Sequence, residues 1–254
     1  MRNEPIYIVG AGPGDPELIT VKGERLLKEA DLVVYAGSLV NKALLDLVKE
    51  GCVLYDSAGM DLNEICRVMI DYAGKGKKVV RLHSGDPSIY GALREQINQL
   101  SEAGIAYKMV PGVSSFAAAA AAVGKEYTLP EISQTIILTR MAGRTPVPET
   151  QNLGSLAAHQ ASMAIFLSIG MIDEVVRELR KGYSDDTPVA VVYKASWEEE
   201  RVIEGTVGDI ATRVKEAEIK LSALVLVGPF LGDPCSSSKL YDPEFSHGCR
   251  EGRQ

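Results

Sequence analysis

Through the first half of the chain, short runs rich in β-branched residues alternate with stretches whose apolar residues recur every three or four positions. Parallel strands need a long crossover between them, usually a helix, so this alternation constrains the half to a mostly parallel sheet covered by helices. The expected strands are Ile6 to Gly10, Leu32 to Tyr35, Val53 to Tyr55, Lys78 to His83 and Ala106 to Val110. Thr20 is placed to cap a helix running to Ala30, and Asp61 with Glu64 forms a capping box ahead of Ile65, Val68, Met69 and Tyr72. Ile89, Leu93, Ile97 and Leu100 lay an apolar stripe along a further helix expected to start at Pro87, whose ring suits a first turn.

At Pro111-Gly112 the last of these strands ends and a small-residue run, SSFAAAAAAVG, begins, predicting a compact helix over Ser114 to Val123. A domain boundary is expected there, giving two α/β domains over residues 1–112 and 113–254. The 254 residues exceed the usual single-domain length, and 46% hydrophobic with 24% charged residues is ordinary globular composition. Strands in the second half are expected at Thr135 to Thr139, Ala164 to Ser168, Val189 to Lys194, Val202 to Glu204 and Ala223 to Val227, with a helix at Ile172, Val175, Val176 and Leu179. Trp197 to Gly205 follows the preceding strand too closely for a helical crossover, so a hairpin and a mixed sheet are expected. The tail from Gly232 reads as loop or docked extension, and no repeat of fixed period is present.

Several function classes are disfavoured at this level. A net charge of −7 lacks the basic excess of a nucleic-acid binder. The longest apolar runs, Phe116 to Val123 and Ala223 to Leu231, fall short of the roughly 20 residues that cross a bilayer, and the N-terminal residues lack a secretory layout. A cytoplasmic location is expected. Cys52, Cys66, Cys235 and Cys249 form no C-x-x-C pair, and His83, His159 and His247 have no ligand spacing, so reduced thiols and no protein-held metal are expected.

Directly after the first strand stands Gly10-Ala11-Gly12-Pro13-Gly14-Asp15-Pro16, a loop that is either a structural turn or a place of close ligand approach. It is not a dinucleotide fingerprint. Asp15 stands where a third glycine belongs, two prolines remove amide donors, and Asp31 precedes the second strand instead of ending it. No G-x-x-x-x-G-K-[ST] is present either.

Read in order, GAGPGDP, YAGSLV (35–40), RLHSGDPSIYG (81–91) and VPGVSS (110–115) resemble the tetrapyrrole methylase family. Later segments extend the resemblance over nearly the whole chain: Ser133-Gln134-Thr135, Ile165 to Ser168, Val192 to Ser196, Gly205-Thr206 and Ser222 to Leu224. YAGSLV, SQTIILTR and the tail Lys239 to Pro243 with Phe245 to Gly248 are most similar to members that methylate C-11 of a precorrin-4-type corrin precursor.

The resemblance implies two α/β domains, a mostly parallel N-terminal and a mixed C-terminal sheet, a homodimer, and S-adenosylmethionine bound in a cleft between the halves. Cofactor contacts would fall on Pro13, Ser84, Gly85, Asp86, Ile89, Tyr90, Ser114, Ser115, Leu167, Ala195 and Ala223. Asp86 either accepts from the donor's amino group or ribose, or caps the helix expected at Pro87. Gly12, Gly14, Asp15 and Ser38 would lie on the substrate side. No catalytic carboxylate carries over to Ala36-Gly37-Ser38. Arg140, Arg144, Lys125 and Lys194 are candidate partners for the macrocycle's carboxylates, or else ordinary solvated charges. Competing readings are methylation at another ring position, a relative acting on RNA or a protein side chain, and a non-catalytic tetrapyrrole-binding protein.

Overall fold

The computed structural model describes residues 4–232, 243–246 and 248–251; the tail motif at 239–242, Cys235 and His247 lie outside them. Contacts divide the chain into two units: residues 1–118 with 196–198, and residues 119–195 with 199–254.

The first unit carries β1 (Ile6–Gly10), α1 (Val21–Glu29), β2 (Leu32–Tyr35), β3 (Val53–Asp56), α2 (Leu62–Gly74), β4 (Val79–His83), α3 (Arg94–Glu102) and β5 (Tyr107–Val110). All strand pairings are parallel, in the order β3-β2-β4-β1-β5. Strand alternation sends Val9, Val33, Val80, Leu82 and Val110 to one face, where Leu26, Leu27 and Leu44 cover them. Ile6, Leu32, Val34 and Val79 go to the other, against Ile65, Met69 and Leu100. Thr20 Oγ1 caps α1 from Gly23 N, and Asp61 and Glu64 make the reciprocal capping box of α2.

One expected helix is shorter than its apolar stripe. α3 begins at Arg94, not Pro87, because Tyr90 and Ala92 take φ values of 52° and 46°, left-handed conformations that a right-handed helix cannot contain. Gly91 is also pressed against the Pro87 carbonyl, which a Cβ at 91 would meet at 2.3 Å.

α4 (Ser115–Val123) runs across the residue at which the two units divide. The second unit continues with β6 (Ile136–Arg140), α5 (Leu153–Ala157), β7 (Ser162–Phe166), α6 (Ile172–Leu179), β8 (Pro188–Tyr193), β9 (Arg201–Thr206), α7 (Ile210–Glu216) and β10 (Ala223–Val227). Its sheet is mixed, ordered β6-β7-β10-β8-β9, with β6 and β7 parallel and the rest antiparallel. The expected β8–β9 hairpin is present. Met163, Ile165, Val189, Val191, Val225 and Val227 pack against Leu153, Val175, Leu179, Ile210 and Val214 of the three helices. β7 starts and ends two residues before the expected strand, since Leu167 at φ 54° turns the chain out of the sheet. The helices α5 and α7 had no counterpart in the sequence reading: α5 is a single short turn, and α7 carries only Ile210 and Val214 as buried residues.

Candidate functional site

In a parallel sheet all carboxyl ends lie on one edge, and the loops leaving neighbouring strands meet there. In the first unit the loops after β4, β1 and β5 bring Ser84 to Tyr90, Gly10 to Asp15, and Val110 to Ser115 to the same edge. Glycine makes their contact possible. Gly12 and Gly85 exchange backbone hydrogen bonds (Gly85 N to Gly12 O, 2.8 Å; Gly12 N to Gly85 O, 3.3 Å), and Ala11 N donates to His83 O at 2.6 Å. A Cβ on Gly112 would lie 2.3 Å from the Gly85 oxygen and 2.8 Å from the Gly10 Cα, so backbone lies directly on backbone.

Asp86 fixes the third loop. Its carboxylate accepts from Gly112 N at 2.9 Å and from the Ser88 amide and hydroxyl. The capping role expected for Asp86 is therefore corrected: it closes a turn at Ser88 and ties two loops, and no helix begins at Pro87. Burial raises its pKa, but the bonds from Ser88 and Gly112 outweigh this and hold the carboxyl below its ordinary value. Ser114 is buried and its carbonyl receives the first amides of α4, while Ser115 and Ile89 are half-buried. Tyr90 is exposed. Pro13, Gly12, Gly14 and Asp15 sit together in the loop after β1, and the Asp15 carboxylate caps the turn at Pro16–Leu18 through Glu17 N (2.8 Å). Ser38 is exposed in the turn after β2, beside which Asn41 Nδ2 donates to Gly14 O at 2.9 Å.

Beneath this edge β4 buries two polar side chains whose environment sequence reasoning missed. Arg81 donates to Gln96 Oε1 (3.2 Å) and Val34 O (3.1 Å), and burial lowers its pKa to about 10, still cationic at neutral pH. His83 is only 7% exposed, and its Nε2 has no hydrogen-bond partner among the described residues. Burial, reinforced by Arg81, lowers its pKa to about 3, so the imidazole is neutral.

In the second unit Leu167, Ala195 and Ala223 also come together, at one end of the sheet. Ala223 pairs with Tyr193 at the end of β8, Lys194 N donates to Ser222 O at 2.8 Å, and the antiparallel register carries Leu167 to the same end. Three non-glycine residues there are left-handed: Leu167 (φ 54°), Lys194 (φ 47°) and Ser222 (φ 53°). Such conformations cost free energy and cluster at functional sites. Leu167 is 72% exposed, an apolar side chain held outward, whereas Ala195 and Ala223 are buried and small.

The candidate cations are not gathered. Arg140 is turned into its own loop, donating to the carbonyls of Met141, Thr145 and Pro146. Lys194 pairs with Glu199 at 2.9 Å, Lys125 donates to Gly232 O, and Arg144 is exposed. Among the described residues no cluster of three or more His, Cys, Asp or Glu could hold a metal, Cys52 and Cys66 are free thiols, and no helix is long and apolar enough to cross a membrane.

Residues 5–211 match the family described as Tetrapyrrole (Corrin/Porphyrin) Methylases. The chain is 54% identical to the cobalt-precorrin-4 C(11)-methyltransferase of Methanocaldococcus jannaschii, covering 100% of this chain and 98% of that protein. It is 47% identical to the precorrin-4 C(11)-methyltransferase of Pseudomonas aeruginosa, over 97% and 99% of the two chains. Among solved structures, a cobalt precorrin-4 methyltransferase superposes with a TM-score of 0.88 at 47% identity, over 90% of this chain and 96% of that one. The uroporphyrin-III C-methyl transferase of Thermus thermophilus, complexed with S-adenyl homocysteine, gives a TM-score of 0.76 at 29% identity, over 90% and 99%.

Proposed function

Because the chain belongs to the tetrapyrrole (corrin/porphyrin) methylases, we propose that it transfers a methyl group from S-adenosylmethionine to C-11 of precorrin-4 or cobalt-precorrin-4. The observation that carries this is the end-to-end likeness to two proteins of that activity, 54% and 47% identical.

The residues present fit such a donor. An adenosyl group needs apolar walls and backbone polar atoms at close range, and an amino-acid end needs a few fixed polar groups. In the first unit the proposed contacts are Pro13, Ser84, Gly85, Asp86, Ile89, Tyr90, Ser114 and Ser115, on loops whose glycine contacts leave no bulk in the way. In the second they are Leu167, Ala195 and Ala223, one outward apolar side chain beside two small ones. The donor supplies a methyl group on a sulfonium, already activated, so the chain need furnish no nucleophile. Its part is to bind and orient. Asp86, anchored by Gly112 and Ser88, sets the β4 loop, and Gly12, Gly14, Asp15 and Ser38 are the proposed acceptor side.

The same reading takes the protein as a homodimer acting in the cytoplasm, without nucleic acid or membrane partners; the net charge of −7 agrees with the absence of a nucleic-acid partner. Purified protein incubated with labelled S-adenosylmethionine and precorrin-4, or its cobalt form, is expected to give a product whose new methyl resonance maps to C-11. A methyl group elsewhere on the ring favours a different family activity, and no incorporation removes the proposal.

A further inference from the structure

The chain's single tryptophan, Trp197, takes no part in the contacts assigned above, yet it is seated on the glycine loop. Residues 196–198 fall between β8 and β9 in chain order but count with the first unit. Within that unit the Trp197 indole N–H donates to Pro13 O at 2.8 Å, and the Ser196 hydroxyl accepts from Asp15 N at 3.0 Å. A Cβ on Gly14 would lie 2.1 Å from the indole Cδ1 and 2.2 Å from Nε1, so position 14 is glycine because the indole lies against its Cα. Ser196 holds its hydroxyl in place from a left-handed backbone, φ 69°, a conformation that favours glycine.

The hydrogen bonds of the loop leave one donor over. The carbonyls of Gly12, Pro13, Gly14 and Asp15 receive donors from Gly85, Trp197, Asn41 and Leu18. The Gly12 amide is bonded to Gly85 and the Asp15 amide to Ser196, and Pro13 and Pro16 have no N–H. The Gly14 N–H alone in this loop makes no hydrogen bond among the described residues. A backbone donor left unmet in a loop whose other amides are bonded is held ready for an outside acceptor.

We infer that Trp197 and Ser196 are positioning residues that fix the Gly14 amide toward a carboxylate or carbonyl oxygen of the tetrapyrrole acceptor. The inference rests on the reading that this loop faces the acceptor, and its test separates the two. Trp197→Phe keeps an aromatic ring while removing the N–H donor together with part of the ring surface that lies on Gly14. Ser196→Gly removes the hydroxyl while easing the left-handed backbone, so it guards against a variant that fails merely by misfolding. With the full-length protein, each variant is expected to raise KM for the acceptor about tenfold, the scale of one well-placed hydrogen bond. S-adenosylhomocysteine affinity by calorimetry should stay within about twofold of the unaltered protein, the scale of a few tenths of a kcal/mol.

An unchanged acceptor KM overturns the inference, and so does an equal loss of S-adenosylhomocysteine affinity or a matching fall in melting temperature. If the unaltered protein methylates neither precursor, the functional reading fails by itself. The positioning role is then read from uroporphyrin, a stable tetrapyrrole polycarboxylate, titrated against the fluorescence of the single indole. Binding about tenfold weaker in Ser196→Gly supports it, and equal binding overturns it.

Discussion

At Gly85 and Gly112, glycine serves two different purposes. Gly85 is left-handed (φ 60°), but its nearest neighbours to an added Cβ are 3.8 and 3.9 Å away, so the space is open and only the backbone conformation objects. Gly85→Ala is therefore expected to cost about 1 to 2 kcal/mol. Gly112 is the reverse: its conformation is ordinary, but a Cβ would strike the Gly85 oxygen at 2.3 Å and force two loops apart. Gly112→Ala should cost roughly 3 kcal/mol or more, in the overpacking range, and abolish S-adenosylhomocysteine binding. Urea unfolding and calorimetry of the pair check the ranking, and equal costs would contradict the stacked-backbone geometry. His83 gives a pH prediction. Its folded pKa is lowered, to about 3, so between the ordinary 6.5 and that value the unfolded chain holds a proton that the folded chain excludes. The contribution is complete above 6.5 and is lost as pH falls toward 3. Unfolding free energies of the unaltered protein should thus decline more steeply than those of His83→Gln between pH 6 and 4, by about 1 kcal/mol per pH unit. Parallel slopes would mean that His83 is solvated or bonded.

The irregular segment between β4 and α3 can be tested by the sign of one substitution. Ala92 is exposed at φ 46°, and Gly there relieves a left-handed alanine, so Ala92→Gly is expected to stabilise by about 0.5 kcal/mol. Were 87–93 helical, as the apolar stripe suggests, the same change would destabilise by about 1 kcal/mol. Thermal melts of the two proteins decide between them. This segment also marks where sequence reading stops. The strands and the Asp61–Glu64 box were legible because alternation and capping are written in neighbouring residues. A left-handed turn at Tyr90 and Ala92 was not, because neither residue is the glycine or asparagine that announces one. Within the site, the glycine loops were legible for the same local reason. The Ser196 contact to Asp15 was not, since it joins positions 181 residues apart through a hydroxyl that any surface serine could carry. Asp86 falls between: its importance was visible, but its partner Gly112 belongs to another loop.

Each unit of the whole molecule has its own sheet and its own buried core, one around Leu82 and Leu27, one around Ile165 and Leu179. Units with separate cores commonly violate two-state unfolding, so calorimetry is expected to resolve two components, with the calorimetric enthalpy exceeding the van't Hoff value. Leu82→Ala should lower one component and Ile165→Ala the other, since each removes a fully buried side chain worth roughly 2 to 5 kcal/mol from one core. With the components assigned, the donor site can be tested as a whole. A ligand at about 100 times its Kd stabilises whatever binds it by about 2.7 kcal/mol, and only that. If Gly85 and Ser114 in the first unit and Leu167, Ala195 and Ala223 in the second all touch the donor, S-adenosylhomocysteine should raise both components. A shift confined to the Leu82 component would remove Leu167, Ala195 and Ala223 from the donor site and leave their left-handed neighbours Lys194 and Ser222 as sheet-end geometry alone.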